Sequence, residues 1–428
     1  MKTFRLAAAA SLVICGTLSA SNGLYYMGDG VDEPLPLKWT VGVNLIWDDN
    51  VNPTIPNIPA GRPGFEEDTL SINPYVAATF ASITPQTTTQ LYARLGAIYY
   101  FDQPAASTDD VYPDAKLGLN VTHRFSERLR WVSRNYVAYQ LEPDYNYGYA
   151  NSRLSDPYVY WSTDQALGYR WTSRFATYTG IRLWGLDYDS GRVIGGVGNN
   201  QDRTSWMVYN DFRFQASVQT VLTLSYRYSQ TDAGGVTSDS TNHFILGGIE
   251  HRVSPTTVLI FRGGAQIHEI DAVGGQDSTA PYAEFMIRSR VNEQFNVRSF
   301  ARYGIENYDT TFGPGQVPTA PGGVEFDSAT SLRIGVQGDY AVSPMVNVFG
   351  GISYIMRDYD DGRVLGGVAP LPAASESHDL INVYVGVSVK INEWLYAQAS
   401  YNFTDSSSDI LGYTYDRNRI SVGMRAEF

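Results

Sequence analysis

From Trp39 onward, apolar residues recur at every second position through one short segment after another. Trp39, Val41, Val43, Leu45 and Trp47 form the first such set. Leu91, Ala93, Leu95, Ala97, Tyr99 and Phe101 repeat the design, as do Ala115, Leu117, Leu119 and Val121. It returns at Leu222/Leu224/Tyr226/Tyr228, at Leu332/Ile334/Val336 and at Ile381/Val383/Val385/Val387/Val389. Side chains of an extended strand point alternately to its two faces, so this period predicts strands with one apolar and one polar face. Helical periodicity is not convincing anywhere, and 40 Gly with 31 Tyr suit strands and turns better than helices. No stretch after the N-terminus reaches the eighteen consecutive apolar residues that a spanning helix needs.

The connections between segments carry more information than the segments. Short links fall at 83–87, 126–128, 172–173, 217–219, 254–256, 292–294, 343–344 and 392–393. Longer links rich in Asp, Gly and Pro lie between them, such as 102–114, 141–156, 308–326 and 360–378. Short turns at one end and long loops at the other are how membrane barrels are built. Eight short and nine long links predict an all-β transmembrane antiparallel barrel of about eighteen strands, or sixteen if a pair is misread. Both termini would then lie on the short-turn, periplasmic side.

The ends of the chain agree. Ile420, Val422, Met424, Ala426 and Phe428 share one face of a terminal strand, with Ser421, Gly423, Arg425 and Glu427 on the other. A last strand ending on an aromatic resembles the closing strand of outer-membrane barrels, which the barrel-assembly machinery reads during insertion. Phe428 is therefore the candidate closure and insertion residue. Residues 1–20 carry Lys2 and Arg5, an apolar run and then small residues, the pattern of a cleaved secretory signal. Residues 21–37 read as a polar periplasmic lead, and 38–428 as the barrel. The only cysteine, Cys15, falls in the signal, so the exported chain has no disulfide frame and no cysteine-based metal or nucleophile site. Removing Lys2 and Arg5 with the signal leaves 29 basic against 44 acidic residues, a balance that excludes nucleic acid as a partner.

Three stretches resemble the beta-barrel porin family known as porin 2, found in outer membranes of Gram-negative bacteria. They lie at 44–51 (NLIWDDNV), 141–148 (LEPDYNYG) and 169–175 (YRWTSRF). The resemblance implies a porin-sized barrel, in some relatives linked to exopolysaccharide export. It brings no catalytic residue and no substrate.

If the apolar face meets lipid, the other face lines a lumen, and arginine dominates it. Arg94, Arg130, Arg134, Arg182, Arg213, Arg227, Arg262, Arg288, Arg298, Arg302, Arg333 and Arg357 all fall in that phase. Lysine is nearly absent, with four in the chain against 27 arginines. Guanidinium groups fixed along a narrow aqueous passage would focus potential on passing anions or sugars. Arginine also grips carboxylates through two parallel bonds, so structural pairing with Asp164, Asp211, Glu284, Glu306 or Asp339 is the other reading. Aromatic residues at segment ends, among them Trp39, Trp47, Trp131, Tyr139, Tyr158, Trp161, Trp206 and Trp394, suit the lipid headgroup level. A sugar-stacking slide inside the lumen is the alternative.

A repeat links two loops: 180–197 returns as 351–368, with DYDSGRVIGGV answered by DYDDGRVLGGV. Shared descent of hairpins explains it. A paired loop function, such as a cation held between Asp187/Asp189 and Asp358/Asp360, is the sharper reading. No G-x-S-x-G, H-E-x-x-H, P-loop or dinucleotide fingerprint occurs. His268 and Glu269 are neighbours on a strand and point to opposite faces. The expectation is a non-enzymatic porin without cofactor or metal, passing small hydrophilic solutes by diffusion. Its partners would be outer-membrane lipid, lipopolysaccharide and the assembly machinery. An exopolysaccharide exporter subunit, or a structural or surface-binding barrel plugged by its own loops, stand as alternatives.

Overall fold

A computed structural model describes residues 24, 34–51, 68–104, 109–142, 157–189, 193–194, 197–198, 202–234, 237–306, 310–313, 315–318, 322–365 and 375–428. The expected signal segment, most of the expected lead and the heart of the 141–156 loop lie outside them. Eighteen strands form the wall. They are β1 (Leu35–Asp48), β2 (Thr69–Ile83), β3 (Thr87–Tyr100), β4 (Val111–Arg124), β5 (Leu129–Gln140) and β6 (Tyr158–Arg170). Next come β7 (Phe175–Tyr188), β8 (Arg203–Gln215), β9 (Thr220–Ala233), β10 (Asp239–Ser254), β11 (Thr257–Asp271) and β12 (Ser278–Arg290). The last six are β13 (Phe295–Glu306), β14 (Val324–Ala341), β15 (Val346–Val364), β16 (Glu376–Lys390), β17 (Leu395–Ser408) and β18 (Tyr415–Glu427). Each pairs antiparallel with its chain neighbours, and β18 pairs with β1 from Thr40↔Glu427 to Asp48↔Arg419. Reciprocal bonds between Trp39 and Phe428 (N→O 3.1 and 2.9 Å) finish that seam. Closure leaves no strand edge, the condition for a sheet in hydrocarbon, where no water can satisfy a free amide.

The eight short links are found where the alternation places them, and one device builds them all. Each has Ser, Thr or Asn at its start (Thr84, the second residue, in the 83–87 link), whose side-chain oxygen accepts a backbone N–H two or three residues on. Asn292 Oδ1 accepts from Gln294 and Phe295 (both 2.9 Å), and Asn392 Oδ1 from Trp394 and Leu395 (3.0 and 2.8 Å). Thr84, Ser126, Thr172, Ser217, Ser254 and Ser343 do the same with their hydroxyls. Such side chains mimic a turn of backbone and so favour tight links.

Outward residues such as Trp39, Leu95, Leu224, Val385 and Val422 are exposed, while their neighbours facing the lumen are mostly buried. Several inward aromatic rings lie flat on the wall, each over a glycine directly across the sheet. Tyr75 covers Gly42, Tyr178 covers Gly168, Tyr209 covers Gly180, Phe300 covers Gly335 and Tyr384 covers Gly351. A Cβ at Gly335 would sit 2.2 Å from the Phe300 ring, so only glycine lets the ring lie down there.

Strand ends depart from the sequence reading. β4 begins at Val111, β14 at Val324 and β16 at Glu376, and β15 runs on to Val364, all inside segments expected to be loops. Residues Val324 to Ala329 of β14 are buried on both faces. There Phe312, Val317, Ile410 and Tyr413 from neighbouring loops pack with Phe326 and Tyr359. A strand buried on both faces has no alternation to read. β1 likewise starts at Leu35 rather than at residue 38, with a register shift before Lys38.

Candidate functional site: the lumen wall

All twelve arginines stand on strand positions that alternate with the lipid-facing ones. Strand pairing brings eight of them to carboxylates, in four groups around the wall. Arg94 on β3 meets Asp114 on β4 (Nη2–Oδ2 2.9 Å) and Asn73 on β2 (2.7 Å), and its guanidinium lies 3.8 Å from the Tyr75 ring centre. Arg134 on β5 meets Asp164 on β6 (3.0 Å), whose other oxygen accepts the Tyr209 hydroxyl (2.8 Å).

The third group crosses five strands. Arg213 on β8 grips Glu250 on β10 through both terminal nitrogens (2.7 and 2.5 Å). Arg262 on β11 bridges Glu250 (3.1 Å) and Glu284 on β12 (2.7 Å). Glu284 also accepts from Arg227 on β9 (2.9 Å) and from the Tyr282 hydroxyl (3.0 Å). Glu250 and Arg213 are wholly buried, and the backbone carbonyl of Leu24 accepts the Arg213 Nε–H at 2.9 Å. In the fourth group Glu306 on β13 collects Arg302, Arg333 (Nε–Oε1 2.8 Å) and Arg357 (Nη2–Oε2 2.8 Å). A buried guanidinium is tolerable only with a carboxylate in good geometry, so these groups are wall cement.

Arg182 on β7 is different. It points inward yet is exposed, and it makes no ion pair among the described residues. Asp164 stands across from it in register but is held by Arg134 and Tyr209. Its contacts are the Tyr160 hydroxyl (3.4 Å) and the Trp184 ring, 5.1 Å away. Arg288 and Arg298 face each other across β12 and β13, half-buried, and Arg130 is buried.

Of the expected carboxylate partners, Asp164, Glu284 and Glu306 hold arginines. Asp211 accepts from Ser225 (2.5 Å) and adds its charge to the surroundings of Arg227 and Arg262, and Asp339 accepts from Asn296 (2.9 Å). Sequence reasoning passed over Glu250, Asp114 and the seam residues. At the seam Arg417 joins Asp48 and Glu142 (2.8 Å), while Arg425 meets Glu427 (3.0 Å), which also holds Lys38. Asp48, Glu250, Arg417 and Arg425 share the inward phase of the named arginines, so the phase rule could have found them. Glu142 lies beyond the end of β5, where no phase exists.

The repeated loop acids do not meet. Asp187 and Asp358 point outward, on β7 and β15, eight strands apart in a ring of eighteen. Asp189 accepts the Tyr139 hydroxyl, and Asp360 lies beside Asp361 and Asp358. No group of three metal-binding side chains forms among the described residues, and the two acidic pairs stand on hairpins eight strands apart. Tyr158, expected at the headgroup level, faces inward and is buried against Tyr188, with its hydroxyl donating to the Glu142 carbonyl (2.8 Å). His268 is enclosed between Asn242 and the Asp327 carbonyl.

No family model matches the chain, and no curated protein matches it. Among solved structures, OccK9 (OpdG) of Pseudomonas aeruginosa is similar at 11% identity and a TM-score of 0.46, over 92% of this chain and 98% of that one. OccAB4 of Acinetobacter baumannii is similar at 12% identity and a TM-score of 0.44, over 92% and 99%. The outer membrane protein opdK of Pseudomonas aeruginosa gives 12% identity, a TM-score of 0.43 and the same coverage. Likeness of that degree decides nothing about solute, so the functional reading rests on the wall itself.

Proposed function

We propose that this chain is an outer-membrane porin that lets small hydrophilic solutes diffuse passively through its lumen. The observation that carries the reading is Arg182: a charged side chain that points away from lipid and is exposed must face water inside the barrel. Arg302, with 38% of its side chain exposed, supports water beside the wall six strands further round. A barrel of this strand count is wide enough for an aqueous passage. The sequence resemblance to the porin 2 family points the same way. Eight of the twelve named lumen arginines are neutralised in place, whereas Arg182, exposed and without an ion pair among the described residues, offers its charge to solutes. Proteoliposomes carrying the purified protein should swell in isotonic solutions of small neutral sugars, faster for smaller ones. Absence of swelling would instead support a barrel plugged by its loops, a reading favoured by the packing of Phe312 and Val317 at the outer end.

A further inference from the structure

The outward face of the barrel is apolar at mid-height on most strands, but not on β5 to β8. Ser133 and Asn135 on β5, Thr163 and Gln165 on β6, Thr179 on β7 and Asn210 on β8 all point outward. They lie between two aromatic levels, with Trp131 and Tyr169 toward the short turns and Tyr139, Trp161 and Trp206 toward the long loops. Rings of that kind mark the two membrane surfaces, so the six polar residues sit at the depth of the hydrocarbon. On the other fourteen strands the outward Asn and Gln side chains, Gln230 and Asn418, lie at extracellular ends.

Lipid tails offer no hydrogen bond, and an amide placed against them is unfavourable. The patch answers most of this within itself: Trp131 Nε1 donates to Gln165 Oε1 (3.1 Å), and Asn135 Nδ2 donates to Ser133 (2.9 Å) and the Leu119 carbonyl (3.3 Å). Gln165 Nε2 donates to Ser133 and Thr163 (both 2.9 Å), Thr163 donates to Asn135 (2.8 Å), and Asn210 donates to Thr179 (2.8 Å). The Asn210 carbonyl oxygen is shut off from solvent and receives no donor. A cavity of about 710 Å³ on the same wall, bounded by Trp131, Leu167, Ile181 and Val208, interrupts the smooth lipid-facing surface.

We infer that this face is covered by a second copy of the same chain rather than by lipid. Asn210 gives one amide hydrogen to Thr179 and keeps the second, and the Thr179 hydroxyl keeps its own proton, so groups that can donate and accept remain to meet their counterparts on a second copy, as a two-fold contact requires. None of the six carries a charge, so no like charges meet across such a contact. Four strands spaced about 4.8 Å apart across a band roughly 25 Å tall offer about 500 Å² per copy. A pair therefore buries about 1,000 Å², the size at which a specific interface begins. The inference rests on the membrane placement of the barrel.

The chain has one cysteine, Cys15, and Cys15→Ser gives a cysteine-free background for the test. Single variants Ser133→Cys, Thr163→Cys and Thr179→Cys, with Val385→Cys on the far wall as control, are expressed in cells. Intact outer membranes are treated with a short bis-maleimide. One or more of the three patch variants should yield a band of twice the monomer mass, and V385C none. Adding Gln165→Leu and Asn210→Leu should abolish that band. No doubled band from any patch variant, an equal band from V385C, or a cross-link to a different protein would overturn the inference. Flotation of the same membranes separates this failure from failure of the membrane placement, in which the chain would not float with lipid.

Discussion

Glu306 is the point on which the largest arginine group depends, and replacing it with glutamine tests whether that group holds the wall together. Arg333 and Arg357 reach Glu306 at 2.8 Å and are almost wholly buried, while Arg302 is partly in water and contributes less. Glutamine keeps the shape but withdraws the charge that three guanidiniums share. Removing one partner of a buried ion pair costs roughly 3–5 kcal/mol, because the remaining charge stays dry. Unfolding entropy of about 2.1 cal/mol/K per residue gives a barrel of this size roughly 0.8 kcal/mol/K. The heat-modifiable transition on gels should therefore fall by about 4–6 °C. The Glu306→Gln, Arg357→Met pair should recover part of that loss, since an apolar isostere removes one of the stranded charges. An unchanged transition in E306Q would refute the claim that these arginines are cement, and would return them to the pool of solute-facing charge.

Arg182→Gln should leave the heat-modifiable transition unmoved while shifting the reversal potential in a salt gradient toward cations, by an amount that shrinks as salt screens the site. A loss of heat stability without a shift would reverse its role. Gly335→Ala should lift the Phe300 ring off the wall, destabilising by about 1–3 kcal/mol and narrowing the lumen. Conductance equal to the parent would show that the ring has room to slide along the sheet. Deleting Phe428 removes the reciprocal bonds with Trp39 and should lower the yield of heat-modifiable protein in the membrane. Undiminished assembly would count against Phe428 as an insertion signal.

The barrel was legible because its two strongest physical demands leave marks in one chain. Lipid outside and water inside impose a strict period of two. The tight turns need Ser, Thr or Asn at their start, and so Thr84, Ser126, Asn292 and their counterparts could be read directly. Strand ends above the membrane were not legible. At Val324 to Ala329 both faces are covered by loops, and alternation disappears just where the strand continues. The arginine phase was also readable from sequence, but the use of each charge was not. Partners such as Arg213 and Glu250 lie two strands apart, and only the register of β8, β9 and β10 brings them together. Arg182 shares the phase of its paired counterparts and faces Asp164 in register. Only the side-chain geometry shows that Asp164 is already taken.

Single-channel recording of the purified protein in planar bilayers tests the central claim most directly. An aqueous lumen with Arg182 exposed should give stable, ohmic steps whose size rises with salt concentration, and R182Q should alter their selectivity without abolishing them. A barrel that inserts, shifts on heating as a folded species should, and yet passes no current under any salt condition would contradict the account.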